Sequence, residues 1–137
     1  MTFKIKEDFS ENLKNDLHKK YLSSGKKISG KIKDDKIELF LEDDRGKHSD
    51  FMSQIFYGKI VNGELSGSFR PSVYVLVLLC ILLFFAVESI VAAIIMKYYQ
   101  GIIFPSIIII GEVLYLILLK RMSFDDNELI NNYLLNM

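Results

Sequence analysis

Two acidic residues, Glu88 and Glu112, lie inside long apolar runs, and their type and position point to chemistry. An ionisable side chain at membrane depth costs roughly 2.5 to 3.5 kcal/mol and usually faces a helix bundle, a partner or water. The two positions are symmetric about residue 100, so antiparallel helices would place both carboxyls at nearly one depth, where we expect them to face each other. Two close carboxylates repel, which favours a shared or bound proton. The alternative is that both acids, with Ser89, only link helices through hydrogen bonds.

The runs that hold these acids predict a transmembrane helical hairpin over residues 71–120. Its helices are expected at about 73–96 and 102–119, since about 20 predominantly apolar residues cross the hydrocarbon core. Small residues, which allow close helix packing, are Ala86, Ser89, Ala92 and Ala93 in the first run and Gly111 in the second. Two helices alone bury little surface, so we expect a homo-oligomer or a membrane protein partner.

The charges around the hairpin predict its orientation in the lipid bilayer. Arg70, Lys120 and Arg121 flank the outer ends of the two runs, whereas the connection between them carries only Lys97. Basic residues favour the cytosolic side, and the charged segment 1–10 lacks the apolar core of a signal peptide. We therefore expect a two-span protein of the bacterial inner (cytoplasmic) membrane with both termini in the cytosol.

Residues 1–70 predict a small cytosolic α+β domain. Apolar residues at i+4 spacing indicate a helix at about 9–22, and alternation with period two indicates two β-hairpins at about 28–41 and 54–69. The strands are expected at 28–33, 36–41, 54–61 and 64–69, in one antiparallel sheet with Ile32, Leu39, Ile60 and Leu65 on a buried face that the helix covers. The Asn62-Gly63 pair is a strong hairpin-turn signal because both positions need positive φ. An offset of 28 residues superimposes the hairpins and matches Gly30 to Gly58, which suggests a duplication.

The segment 121–137 predicts a short amphipathic helix that starts after Ser123. Its polar face is acidic or neutral, so docking on the sheet domain or on a partner is favoured over binding to lipid. The overall fold class is an α+β membrane protein.

Several function classes find no support in the sequence. Residues 1–70 contain 14 basic and 12 acidic residues, a balance that does not suggest nucleic acid. The single cysteine, Cys80, excludes a disulfide framework, and the acidic run at 42–50 lacks the carboxylate positions of a calcium loop. His18 and His48 are expected to be surface residues, and nucleotide-binding and hydrolase motifs are missing. We expect no enzyme activity, no metal and no cofactor.

Four features of the chain resemble a known layout. They are the short G-K-I hairpins, the strand that ends near Phe69-Arg70-Pro71-Ser72, the two-span hairpin and the acidic tail. The chain resembles small bacterial membrane proteins with a short N-terminal β-hairpin domain followed by a two-helix transmembrane hairpin. This resemblance implies the layout and brings no activity with it. A looser similarity is to antiphage effectors that fuse a nucleotide-sensing β-barrel to a membrane hairpin. Those place the helices first, and four strands fall short of a closed barrel.

Three functions are compatible with these patterns. The favoured one is a non-enzymatic, membrane-anchored binding or regulatory module. The second is a membrane effector or small conducting oligomer, gated through the β-domain, that uses Glu88 and Glu112. The third is a structural subunit of a larger membrane complex, with the two acids paired to basic residues of a partner.

Overall fold

The structure is a computed structural model that describes residues 2–22, 25–43 and 51–136. Most of the predicted loop around His48 therefore lies outside the described residues. The strands are β1 (Thr2–Lys4), β2 (Lys27–Lys33), β3 (Lys36–Glu42), β4 (Ile55–Val61) and β5 (Glu64–Arg70). The helices are α1 (Phe9–Asp16), α2 (Val73–Ile95), α3 (Ile103–Met122) and α4 (Phe124–Leu135), with a 3₁₀ turn at Tyr99–Ile102.

The five strands form one antiparallel sheet in the order β1-β5-β4-β3-β2. The four predicted strands are confirmed to within one residue at each end. The sequence analysis missed β1, which pairs with β5 and places Phe3 opposite Leu65. Asn62 and Gly63 have φ values of 52° and 76°, the conformation that a two-residue hairpin turn requires.

The core of the domain lies on one face of this sheet, beneath α1 and α4. The predicted common face is confirmed, because Leu39 and Leu65 are fully buried and Ile32 and Ile60 pack against the same core. The two covering helices supply Phe9 and Leu13 from α1 and Ile130, Tyr133 and Leu134 from α4. Docking of the C-terminal helix on the sheet domain is thus also confirmed, and segments from both ends of the chain share one core.

Helix α1 ends at Asp16, six residues before the predicted end. Leu17 turns to extended backbone and His18 takes a φ of 62°. The chain then runs along the edge of β2, where His18 N donates to the carbonyl of Ile28 at 2.8 Å and Ile28 N donates to that of Lys20 at 3.0 Å. These bonds satisfy backbone groups of an edge strand, which local helical spacing does not reveal.

The glycines matched by the predicted duplication have different structural roles. Gly30 has a φ of 154°, and a Cβ there would lie 1.8 Å from the carbonyl oxygen of Glu38. Gly58 instead leaves room for an aromatic ring, since its Cβ would lie 2.7 Å from Cε1 of Phe56. Gly67, across from Gly58, accommodates the same ring, with 2.6 Å to Cζ.

Helices α2 and α3 form the predicted hairpin and are each long and apolar enough to cross a membrane. Only 11% of the most apolar window of each is buried, unlike the core helices of a soluble protein. Ser72 caps α2, with its Oγ accepting a hydrogen bond from Val75 N at 3.3 Å. Helix α3 continues three residues past the predicted end and turns at Ser123 into α4.

Candidate functional site

Glu112 lies on the face of α3 that packs against α2. It is seven residues from Pro105 and seven from Leu119, both of which are buried, and this spacing places all three on one side of the helix. Its Oε1 atom is buried and has no hydrogen-bond partner among the residues that the structure describes. A buried carboxyl oxygen in this state can accept a proton or a donor from another group.

Glu88 points away from that interface. Ala86 and Ala93 are the buried residues in this half of α2, and Glu88, two residues after Ala86, is about 200° around the helix from it. Its side chain is exposed. The expected facing of the two carboxyls does not occur within one chain, because equal depth does not fix the rotation of each helix.

The other predicted intramembrane residues divide between packing and exposed positions. Ser89 is exposed, and its hydroxyl donates to the carbonyl of Phe85 at 2.8 Å. Ala92 and Gly111 are also exposed, and a Cβ on Gly111 would meet nothing within 4 Å. The close approach instead involves Gly101, where a Cβ would lie 3.3 Å from that of Ala93.

A group of polar residues, the junction cluster, ties the helical hairpin to the sheet domain. Asn127 Nδ2 donates to Gln54 Oε1 at 3.0 Å, and the buried hydroxyl of Ser123 lies 3.2 Å from the same oxygen. Lys26 Nζ pairs with Asp126 Oδ1 at 2.6 Å. The remaining member, Ser53, donates to Asp126 Oδ2 at 3.3 Å.

Sequence reasoning missed the junction cluster because its partners are far apart in the chain. In the sequence, Asp126 is simply an acidic residue in the first turn of a helix, whereas in the structure it pairs with Lys26, 100 residues away. A second link joins α3 to the segment before β4, where Tyr115 Oη donates to the carbonyl of Phe51 at 2.7 Å. The Phe51 ring in turn meets the edge of Tyr74 at 5.9 Å between centroids. The sheet domain and the helices are thus joined by a set of specific side-chain contacts.

The second face of the sheet, opposite the core, carries lysine and serine side chains beside acidic and apolar ones such as Glu38 and Tyr57. We call Lys33, Lys36 and Lys59 the lysine row, because the register pairs Lys33 with Lys36 and Lys36 with Lys59. Like charges directly opposite each other destabilise a sheet. On its other side, Lys59 pairs with Ser66 of β5. The Nζ atom of Lys59 lies 3.9 Å from Asp35 Oδ2, and both side chains are about half exposed.

A groove of about 310 Å³ opens on this face. Lys36 and Lys59 line one part, and Arg70 lies near the end next to α2, with its guanidinium carbon 4.8 Å from the centre of the Tyr57 ring. The other polar side chains that line the groove are Glu38 and Ser66. Three cations with a hydroxyl and an aromatic ring form a surface that suits an anionic ligand better than a cationic one.

Comparisons with known proteins give no indication of function, so a function must be inferred from the residues of this chain. No protein-family model, no curated protein and no solved structure matches this chain. Within the described ranges, no group of three or more histidine, cysteine or acidic residues is arranged to hold a metal ion. His18 is exposed, 4.0 Å from Glu42. The two features that offer chemistry are the acids of the helical hairpin and the cationic groove of the sheet.

Proposed function

We propose that this protein is a non-enzymatic, membrane-anchored binding module of the bacterial inner membrane. Helices α2 and α3 cross the bilayer as the anchor, and the sheet domain lies in the cytosol as the binding part. The observation that carries this proposal is the asymmetry of the sheet, in which α1 and α4 cover one face and the groove with the lysine row opens on the other. The largely exposed apolar surfaces of α2 and α3 support the anchoring role.

The ligand of the open face is a soluble anion, such as a phosphate-bearing small molecule. An anion bound between Lys36 and Lys59 would relieve the repulsion of directly opposed ammonium groups. Four residues of extended strand, roughly 13 Å, separate Ser66 beside Lys59 from Arg70 at the start of the anchor. Arg70 lines the end of the groove next to the anchor, whereas the part between Lys36 and Lys59 lies farther from the anchor than the Debye length of about 8 Å at physiological salt, which favours a soluble ligand over lipid headgroups between these two lysines.

The test of binding uses the full chain in detergent micelles, with inorganic tripolyphosphate as the probe in calorimetry. Lys36→Gln combined with Lys59→Gln is expected to raise the Kd at least tenfold, and added salt should weaken binding of the parent more than of the variant. Lys14→Gln with Lys19→Gln is the matched control, because both lysines are exposed and lie away from the groove. Equal losses in both double variants, or no binding by the parent, would contradict this ligand class.

The test of anchoring is extraction of membranes from expressing cells. The chain should remain in the pellet after a carbonate wash and dissolve only in detergent. Liposomes that contain anionic lipid, added to the binding assay, distinguish headgroups from soluble anions. Competition by such liposomes at least as strong as that by tripolyphosphate would assign the open face to the membrane surface instead.

A second candidate function, a membrane effector, is favoured by the unpartnered Oε1 of Glu112. Under this alternative, the carboxyl binds a proton that moves when the hairpin rearranges. Replacing both acids, Glu88→Gln with Glu112→Gln, keeps shape and hydrogen bonding but removes the titratable groups. An effector would lose an effect on membrane potential, measured with a potential-sensitive dye, whereas an anchor would insert and bind like the parent.

A further inference from the structure

We infer that α2 docks against α2 of a second copy of this chain, so that the two Glu88 carboxyls meet at the interface. The inference rests on the membrane anchoring proposed above and adds a self-association surface to it. We call that surface the glutamate face. It consists of exposed residues of α2 at helical spacing around Glu88, namely Ile81, Phe84, Glu88, Ala92 and Ile95.

The polarity of the exposed Glu88 side chain is unmet within one chain. Its exposed carboxyl lies about two-thirds of the way along α2, seven residues before the end of the helix at Ile95, where contact with lipid is unfavourable. Glu112 is turned toward the interface between α2 and α3, and Lys97, nine residues away, is about 13 Å further along the axis. The described part of the chain therefore brings neither residue to the glutamate face as a partner.

A second copy of the chain supplies the missing group by symmetry. A two-fold axis along the membrane normal places the same residue of both copies at the same depth. A protonated carboxyl is both a donor and an acceptor, so two Glu88 side chains can satisfy each other reciprocally. The site is incomplete in one chain, and the second copy contributes its essential residue.

The surface beside Glu88 has a shape that suits close helix packing. Ala92, one turn away, has a small side chain, which allows the backbones of two helices to approach closely. Toward the start of α2, the glutamate face joins an apolar groove of about 500 Å³. Ile81 and Phe84 belong to both, and the groove is lined entirely by α2 side chains. A parallel partner helix would fill this groove while its sheet domain stays on the same side of the membrane.

Disulfide cross-linking in native membranes tests the inference. The native thiol is removed by Cys80→Ser, and Ala92→Cys places a single thiol one turn from Glu88. Copper phenanthroline as oxidant should then convert most of the chain into a disulfide-linked dimer on a non-reducing gel. The matched control is Leu114→Cys in the same background, which places the thiol on an exposed position of α3, and it should cross-link at least fivefold less.

Substitutions at Glu88 then show whether dimer formation depends on the pair of carboxyl groups or only on apolar packing of the helices. Glu88→Leu in the Ala92→Cys background should reduce the dimer fraction at least fivefold, whereas Glu88→Gln, which still donates and accepts, should keep at least half of it. An unchanged dimer fraction in Glu88→Leu, or equal cross-linking of the α3 control, would overturn the inference. So would an adduct whose mass shows a different protein instead of two copies.

The same samples distinguish this inference from the proposed function. If the chain is absent from carbonate-washed membranes, the anchoring proposal fails and the dimer inference fails with it. If the chain is in the membrane and binds tripolyphosphate but shows no cross-link at Ala92→Cys, only the dimer inference fails. Size-exclusion chromatography in mild detergent gives an independent readout, with two copies expected for the parent and one for Glu88→Leu.

Discussion

Among single residues, Tyr133 illustrates how α4 is held on the sheet domain. Its ring is buried in the core, and its hydroxyl donates to Asp16 Oδ2 of α1 at 2.7 Å. Lys20 Nζ lies 5.0 Å from the centre of the ring and 3.8 Å from Asp16. Burial raises the pKa of Tyr133 well above its ordinary value of 10.0, and the hydrogen bond and negative charge of Asp16 raise it further.

The raised pKa of Tyr133 gives a prediction about alkaline stability. A group that holds its proton more tightly when folded stabilises the fold fully below its unfolded pKa of about 10, and this stabilisation is lost as the pH rises above that value. Tyr133→Phe should lower the free energy of unfolding at pH 8 by about 2 kcal/mol, since a hydrogen bond to a charged group is lost. Thermal unfolding in detergent from pH 8 to 11 should show this difference shrinking above about pH 10.

The control for Tyr133→Phe is Tyr21→Phe, because Tyr21 is largely exposed. That variant should follow the parent across the whole pH range. A difference between the parent and Tyr133→Phe that is independent of pH would contradict the prediction, because both side chains keep the ring and only the hydroxyl proton is lost as the pH rises.

Backbone positions give a second prediction at this scale. Gly63→Ala should cost about 1 to 2 kcal/mol, because its positive φ is strained for alanine while nothing lies within 4 Å of the new Cβ. Gly30→Ala should cost more than about 3 kcal/mol, since the methyl group would also collide with the Glu38 carbonyl between paired strands. Denaturant unfolding followed by circular dichroism measures both, and equal effects would contradict the steric argument.

At the scale of elements, the junction cluster fixes the corner between α3 and α4 against the start of β2 and the segment before β4. The side chain of Asp126 is only 15% exposed, and its carboxylate accepts hydrogen bonds from both Lys26 and Ser53. Asp126 is largely shielded from water while Lys26 is 41% exposed, and a further hydrogen bond supports the pair, so it contributes more than a fully exposed ion pair does. The cluster therefore holds α4 in place as the second cover of the sheet.

A double-mutant cycle on Lys26→Met and Asp126→Asn is expected to give a coupling free energy of about 1 kcal/mol or more, favouring the pair. The cycle is measured by thermal unfolding of the full chain in detergent. Glu128→Gln with Lys26→Met is the comparison, because Glu128 is exposed on the same helix, and it should show a coupling near zero. A similar coupling in both cycles would mean that only long-range charge is being measured.

Local pattern was sufficient for most of these elements, and long-range contacts account for the differences. Alternation specified β2 to β5, and the apolar runs specified α2 and α3, because side-chain period and length are local properties. The three residues of β1 are too few for a periodic signal. The early end of α1 and the pairing of Lys26 with Asp126 depend on partners distant in the chain, and the opposite rotations of Glu88 and Glu112 depend on how two helices pack.

At the scale of the whole molecule, the sheet domain contains residues from before and after the helical hairpin. The core joins Phe3 and Phe9 to Ile130 and Tyr133. Both ends of the described chain therefore lie on the same side of the hairpin, whichever compartment that is. The alternative, with the ends on opposite sides, would separate α4 from the sheet that it covers.

Reporter fusions test the orientation proposed for this molecule. Fluorescent protein fused before Met1 or after Met137 should be fluorescent, and alkaline phosphatase at either site should be inactive, because Arg70, Lys120 and Arg121 favour the cytosolic side. A phosphatase inserted between Tyr98 and Tyr99 should be active. Opposite results for the two ends would contradict the shared core, whereas an inverted but matching pair would contradict only the assignment of the cytosol.

The position of α4 in the chain has a consequence for biosynthesis. The ribosome makes the five strands first, yet Ile130, Tyr133 and Leu134, which close their core, follow both long helices. Domains generally fold in the order of synthesis, but this one must wait with an apolar sheet face partly uncovered until α2 and α3 have been made. During that interval we expect the nascent domain to be open to chaperones, and any delay in the synthesis of the hairpin and α4 extends its exposure to aggregation and proteolysis.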